Sequence, residues 1–523
     1  MEKIKLILIR FKKFIQNNPK EFWILTAILL IGAFFRLYKI GEYMTFLGDE
    51  GRDMIIVRRF LVEKHPPLIG PGTSIGNMYL GPLYYYMMAI PVLLANFSPV
   101  GPAVMVAVLG VATIALVWWV SRNLFPNETI GDVQGESLHT GALLAAFLYA
   151  ISPTVIIFSR SSWNPNIMPF FSLLSIYSIW KVYESRETLR EVGCWLAILG
   201  ISFAFVLQSH YLGLLLSPVL FLFWIWTLRN LRLIGNYAKY SLYGFGIFLT
   251  LMSPLLAFDI RHGWTNLKAV EAFFTIRKDI GFSLEPYLSK VGSIAFMISS
   301  NLISAKNVYL SFATLALFLL VLIWVYKNKK FKSAIGLTLL WLVLGVLGIS
   351  LYKGPIYDHY LGFLFPAPFL LLGAIAQSVV KVKVKVWQII FLAYLLFVTL
   401  VNLMNSPILS SPNMQMPRAI SVARVVQEKA KGERFNLATI SELNNRDVYK
   451  YFLMIWGAKV VDTDPSSTKF TVTDQLFVVC EMSREICDPI HDPSAWITNF
   501  GWTKIVDEWE VWGGTLFKLG HTK

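Results

Sequence analysis

The chain reads as a polytopic α-helical membrane protein of about eleven spans, with a small extracytoplasmic α/β domain at its C-terminus. Three observations predict this. Of 523 residues, 55% are hydrophobic and 15% charged, with a mean hydropathy of +0.56; soluble domains carry about 25% charged residues. Apolar runs close to the length that crosses a bilayer recur up to residue 403. Lys and Arg gather in the short loops between them, and beyond residue 404 shorter β-branched segments take over.

The net charge of +15 is therefore a topology signal, and no nucleic-acid partner is expected. The 22 Tyr and 17 Trp suit belts at the bilayer surface. Three cysteines are too few for a disulfide-built scaffold. Cys194 lies in an apolar run, whereas Cys480 and Cys487 could pair in an oxidising compartment.

Residues 22–38 form the first span, its start held in the cytoplasm by Lys3, Lys5, Arg10, Lys12, Lys13 and Lys20. Lacking a small-residue cleavage site, it reads as an uncleaved helix. Residues 39–79 form the first external loop. Further spans fall at 101–121, 141–158, 167–180, 193–208, 212–228, 240–258, 307–326, 333–352, 360–378 and 386–403. Four basic clusters set the sidedness: Lys181/Arg186/Arg190, Arg229/Arg232/Lys239, Lys327/Lys329/Lys330/Lys332 and Lys381/Lys383/Lys385 lie inside. Loop 122–140 is then also inside, although Glu128, Asp132 and Glu136 outnumber Arg122. Segments 159–166, 209–211, 259–306 and 353–359 lie outside. Parity leaves one run too many, and 80–97, with Gly81, Pro82, Pro91 and three tyrosines, is assigned to the membrane interface. Residues 1–403 thus form a transmembrane catalytic domain and 404–523 an extracytoplasmic one, in a plasma-membrane protein. In the latter a helix is expected at 418–431, strands at 435–440, 475–480 and 515–519, and a helix at 448–456.

The polar stretch Phe46-Leu47-Gly48-Asp49-Glu50-Gly51-Arg52-Asp53 stands out directly after the first span. Charge beside a span marks a functional site more often than decoration. The external loops add Arg160, Trp163 and Asn164, then His210, then Lys353, His359 and Tyr360. Carboxylates from one loop then meet cations from several others at one membrane face. That combination suits a hydroxyl attacking a sugar whose leaving group is a lipid-linked phosphate. A carboxylate serves as general base, and fixed cations stabilise the departing phosphate. Arginine's planar fork fits phosphate well. The simpler readings are a solvated loop or helix cap for Asp49/Glu50, snorkelling for Arg52, and an interface anchor for Trp163.

The order first helix, loop with Asp49-Glu50, then Gly81-Pro82-Leu83-Tyr84-Tyr85-Tyr86 resembles the GT-C superfamily of membrane glycosyltransferases. It is most similar to the branch of protein O-mannosyltransferases and the lipid A aminoarabinose transferase (glycosyltransferase family 39/83-like). Ser159-Arg160, and Asp358-His359-Tyr360-Leu361 before Pro366 and Pro368, also fit. The resemblance implies inverting transfer from a polyprenyl-phosphate sugar donor to an acceptor protein, lipid or glycan outside the cytoplasm. Asp49 would be the base, and Glu50 the neighbour that positions acceptor or base. Arg52, Arg160, His210, Lys353, His359 and Tyr360, with Trp163 and Asn164, would bind donor phosphate or substrate. Two departures stand out: the 159–166 loop, where relatives often carry an acid, has Trp163-Asn164-Pro165-Asn166, and His359 stands where they commonly carry arginine. No cofactor is certain, and the acidic residues form no clear ligand set for a divalent metal, so metal dependence stays open. The alternatives are a transporter or flippase for a lipid-linked sugar, or a non-catalytic membrane scaffold.

Overall fold

The computed structural model describes residues 9, 12–74, 76–126, 138–185, 188–229, 234–275, 283–330, 333–380, 384–442 and 445–522. Lys3, Lys5, Arg10, Glu128, Asp132, Glu136, Arg186, Arg232, Lys332, Lys381 and Lys383 lie outside these residues.

Helix α1 runs Pro19–Leu37. After a one-turn helix at Ile40–Tyr43, α2 (Gly48–Val62) carries the acidic stretch. A short ribbon, β1 (Gly72–Thr73) with β2 (Gly76–Tyr79), leads to α3 (Leu83–Leu94) and α4 (Val100–Leu124). The expected span 141–158 is broken. Helix α5 (Thr140–Ile151) ends at Ser152, and Pro153 opens a separate short helix to Phe158. Proline has no N–H to donate back into the ladder. The buried Arg36 of α1 takes up the freed end, donating to the carbonyls of Ala150 (3.0 Å) and Tyr149 (3.4 Å).

Next come α6 (Met168–Glu184), α7 (Leu189–Ser209), α8 (Ser217–Leu228), α9 (Ile234–Arg261), α10 (Thr265–Thr275) and α11 (Leu284–Met297). Thus 259–306, expected as a loop, holds two helices and a π-helical turn, Ile298–Ile303. Lys290 of α11 donates to the carbonyls of Tyr352 (2.5 Å) and Gly354 (2.9 Å), so this segment braces the 352–354 turn. Helices α12 (Val308–Lys327), α13 (Ala334–Ser350), α14 (Pro366–Val379) and α15 (Lys385–Met404) complete the bundle.

By length and composition six helices can cross a membrane: Val100–Leu124, Arg190–Ser209, Tyr211–Leu228, Gly235–Arg261, Val308–Lys327 and Lys385–Met404. Asp358–Leu364 and Pro366–Val379, bent by 51°, make a seventh if they form one broken span. The protein is a multi-pass membrane protein with six or seven candidate spans among the described residues, against the eleven expected. Helices α3, α5 and α13 are apolar but shorter, and α1 carries three charges, Lys20, Glu21 and Arg36.

The C-terminal part begins with α16 (Gln415–Lys429) and continues β3 (Phe435–Ile440), α17 (Arg446–Ile455), β4 (Val460–Val461), β5 (Gln475–Cys480), β6 (Thr503–Val511) and β7 (Gly514–His521). The sheet order is β4-β3-β5-β7-β6, with β3 parallel to β4 and β5, and β7 antiparallel to β5 and β6. Cys480 and Cys487 are disulfide-bonded.

One apolar core joins this sheet to the first loop. Phe46, Met54 and Val57 around α2 and Tyr85 and Met88 of α3 pack in one cluster with Val448, Tyr451, Phe452 and Phe477. The helices meet closely at Gly51: a Cβ there would lie 2.5 Å from the Val448 nitrogen and 2.6 Å from the Asp447 carbonyl carbon. Only glycine lets α17 rest on the first turns of α2.

Candidate active site

Leu47 is extended, and the Glu50 carboxylate turns back to accept its N–H at 3.0 Å, which starts α2. This splits the Asp-Glu pair. Glu50 is buried and serves the helix start, while Asp49 stays half exposed in the first turn. Burial, reinforced by the charges of Asp49 and Asp53, pushes Glu50 up to about 7. Glu50, expected to position acceptor or base, has one carboxylate oxygen engaged with its own backbone.

One helical turn beyond Asp49, Arg52 reaches back to it, NH1 to Oδ1, at 2.7 Å. The same guanidinium donates to Oδ1 of Asp53 from NH2 (2.7 Å) and Nε (3.0 Å). Asp53 is fully buried, accepts from the Tyr85 hydroxyl at 2.9 Å, and leaves Oδ2 without a partner. Burial pushes Asp53 up to about 6 although Arg52 pulls the other way. Burial also lowers Arg52, but the charges of Asp53 and Asp49 outweigh it and hold the guanidinium firmly protonated.

The second oxygen of Asp49 accepts from the Trp163 indole N–H at 3.2 Å. From Trp163 an aromatic chain runs inward, with ring centres 4.4 Å apart to His359, 4.6 Å on to Tyr360 and 5.0 Å from Tyr360 to His210. Four segments distant in sequence thus bring Asp49, Arg52, Trp163, His359, Tyr360 and His210 together.

Other expected residues have different surroundings. Arg160 donates to the carbonyl of Tyr38 at 2.6 Å and lies over the ring of Tyr43 at 4.6 Å, securing the end of α1, and its Nε and NH1 are buried without a partner among the described residues. Asn164 is buried and donates to the Ser209 carbonyl at 2.6 Å, tying its loop to the end of α7. Lys353 is exposed in the turn that Lys290 braces. The His210 Nδ1 accepts from the Leu212 N–H at 3.2 Å; burial, then the neighbouring His359, pushes the ring down to about 3. Burial thus favours the neutral form of His210. Tyr84 and Tyr85, expected to serve packing and interface anchoring, are buried and hydrogen-bonded to Ser162 and Asp53.

Two cavities meet at Arg52. One of about 470 Å³ is lined by Asp49, Glu50, Arg52, Trp163, Thr45 and, from the C-terminal part, Asp447. The other, of about 680 Å³, is lined by Arg52, Arg59, His65 and Arg261, with apolar walls from Ile56, Leu68 and Phe258. Arg261 and Asp447 escaped sequence reasoning: one closes an apolar helix and the other opens a helix far along the chain. No group of three or more His, Cys, Asp or Glu suited to a metal ion occurs among the described residues.

Residues 26–265 match the sequence profile of the dolichyl-phosphate-mannose-protein mannosyltransferase family. A protein O-mannosyl-transferase of Dictyostelium discoideum is 20% identical over 353 residues, 60% of this chain and 38% of the relative. The chain thus spans about two fifths of that relative's length. ArnT from Cupriavidus metallidurans, solved with undecaprenyl phosphate, superposes with a TM-score of 0.57 at 13% identity, covering 94% of this chain and 97% of that one. The oligosaccharyltransferase AglB of Archaeoglobus fulgidus, solved with an inhibitory peptide and a dolichol-phosphate, gives 0.51 at 12% identity, covering 88% and 69%. The chain resembles the GT-C superfamily of membrane glycosyltransferases, in sequence over residues 26–265 and in fold over nearly its whole length.

Proposed function

We propose that this protein transfers a sugar from a polyprenyl-phosphate donor to a hydroxyl group at the non-cytoplasmic face of a cell membrane, with inversion and with Asp49 as general base. The observation that carries the reading is the junction at Arg52. A half-exposed carboxylate is fixed through both oxygens, by Arg52 and by Trp163, where a carboxylate-lined chamber adjoins a cation-lined one.

Inversion requires nucleophile and leaving group on opposite sides of the anomeric carbon. The two cavities provide the two sides. Arg59, His65 and Arg261 with Arg52 hold the donor phosphate and stabilise the charge it gains as the glycosidic bond breaks. A sugar reaching past Arg52 presents its anomeric carbon to the Asp49 chamber. There the acceptor hydroxyl gives its proton to Asp49, whose oxygens keep lone pairs beyond the one each commits to Arg52 or Trp163. The apolar walls of the donor cavity suit the first prenyl units. We take the acceptor to be a protein Ser or Thr hydroxyl, because the matching family and the curated relative are named as protein mannosyltransferases. The disulfide between Cys480 and Cys487 supports an oxidising, non-cytoplasmic side for the C-terminal part and hence for the chamber it walls.

The test is the stereochemistry of transfer. Membranes containing the protein are supplied with a polyprenyl-phosphate sugar of known anomeric configuration, and the product linkage is read by NMR. Inverted product that depends on the protein supports the reading; retained configuration or no protein-dependent transfer overturns it.

A further inference from the structure

The acceptor chamber has a wall that the transmembrane part does not make. Asp447, in the first turn of α17, lines it together with Asp49 and Glu50. Its place is fixed from two directions. The backbone of Asp447 and Val448 rests on Gly51, two residues beyond Asp49. Behind it, Arg446 donates to Asp447 Oδ1 from NH2 (2.9 Å) and Nε (3.2 Å), while lying 3.4 Å from the Trp496 ring centre and pairing with Asp462 at 3.2 Å. Arg446 does not itself line the chamber.

The two cavities are therefore oppositely polarised. The donor side has Arg52, Arg59, His65 and Arg261, with no carboxylate among the described residues on its walls. The acceptor side has the carboxyls of Asp49, Glu50 and Asp447 and, among the described residues, one cation. Arg52 is bonded to Asp49 and Asp53, Glu50 is turned to its own backbone, and Asp447 is held by Arg446 through Oδ1 alone, which leaves Oδ2 for a ligand. An acceptor with a phosphate or carboxylate beside its hydroxyl would face Asp49 and Asp447 with no unpaired cation on the chamber walls to meet it. One with a positive charge there would find the second oxygen of Asp447, the one Arg446 does not engage.

We propose that Asp447 is a specificity-determining residue of the acceptor chamber, selecting a Ser or Thr hydroxyl on a peptide segment that carries a positive charge next to it. The proposal rests on the transferase reading above and assigns the C-terminal part a direct share in acceptor choice.

The test uses the full-length protein, a polyprenyl-phosphate sugar and three peptides with one Ser flanked by Lys, Gln or Glu. The readout is the ratio of kcat/KM for the Lys peptide to that for the Glu peptide, taken within each variant so that overall losses cancel. The wild type should favour Lys by at least about tenfold, since like-charge contact in a confined site is costly. Asp447→Asn should reduce the ratio to about 2 to 3, Asp447→Lys should invert it, and Asp447→Glu should restore it. A wild-type ratio near one, or an unchanged ratio in Asp447→Lys or Asp447→Asn, overturns the proposal. If Asp447→Lys fails to fold, the wild-type and Asp447→Asn ratios decide. Asp49-dependent donor consumption by a membrane lipid, with every peptide silent, overturns this inference but leaves sugar transfer standing. A donor untouched by the wild type, whatever the acceptor, overturns the transferase reading itself.

Discussion

Replacing Gly51 with alanine tests whether the contact of α17 with α2 builds the chamber. The added Cβ would sit 2.5 Å from the Val448 nitrogen, 2.6 Å from the Asp447 carbonyl carbon and 2.8 Å from its oxygen. All three are backbone atoms, so no side chain can swing aside. Ordinary carbon contacts need roughly 3.5 to 4 Å, so the helices must separate by about 1 Å. Overpacking of this kind costs about 1–3 kcal/mol. The displacement falls where Asp447 and Asp49 face one chamber, and about 1 Å of misplacement at a reacting site can lower the rate by about 100-fold. Thermal unfolding of the detergent-solubilised variant should show lower stability, and transfer should fall by one to two orders of magnitude with little change in donor affinity. A variant with wild-type stability and wild-type transfer would refute the claim that this contact shapes the site.

Glu50→Gln removes a titration but keeps an oxygen that can accept the Leu47 N–H. Burial raises the wild-type carboxyl to about 7, so the folded state loses stability as pH rises from about 4.5 through 7, about 3 kcal/mol in all. Unfolding measured at pH 5 and pH 8 should show the variant gaining relative to wild type at the higher pH, and equal pH dependence would contradict the buried placement. Trp163→Phe keeps the ring against His359 but deletes the donor to Asp49; kcat/KM should drop about 10- to 100-fold, as for a hydrogen bond to a charged group. Arg261→Gln should raise the donor KM about tenfold or more, while Lys353→Gln changes it less than about twofold; the reverse ranking would move the phosphate out of the cavity assigned to it.

Much of the helical layout was legible because long apolar runs need little context. Strands β3 and β5 were legible from their β-branched and apolar content, and both are buried throughout. Strand β6 was missed: it lies at the sheet edge, mostly exposed, with Lys504, Asp507, Glu508 and Glu510 interrupting any pattern. Helices α10 and α11 were read as loop because their apolar stretches are short and punctuated by charge. Tyr85 shows a further limit. A tyrosine beside prolines suits a membrane interface, and nothing local reveals that its hydroxyl serves a buried Asp53. Within the site, the sequence singled out Asp49, Glu50 and Arg52 and allowed a helix cap at the acidic pair, but it did not reveal that Arg52 bonds Asp49 one turn back. The meeting of Asp49 with Trp163 or Asp447 depends on how separate elements pack, and the chain records it only as Gly51.

The most direct test of the account is single-turnover transfer by purified Asp49→Asn with donor bound. Asparagine keeps the shape and leaves the donor cavity intact, but it cannot take the acceptor proton. Donor affinity should stay within about threefold of wild type while the transfer step slows about 100- to 10,000-fold, the range for loss of a general base. Transfer within about threefold of the wild-type rate would show that Asp49 is not the base and that the account of the Arg52 junction is wrong.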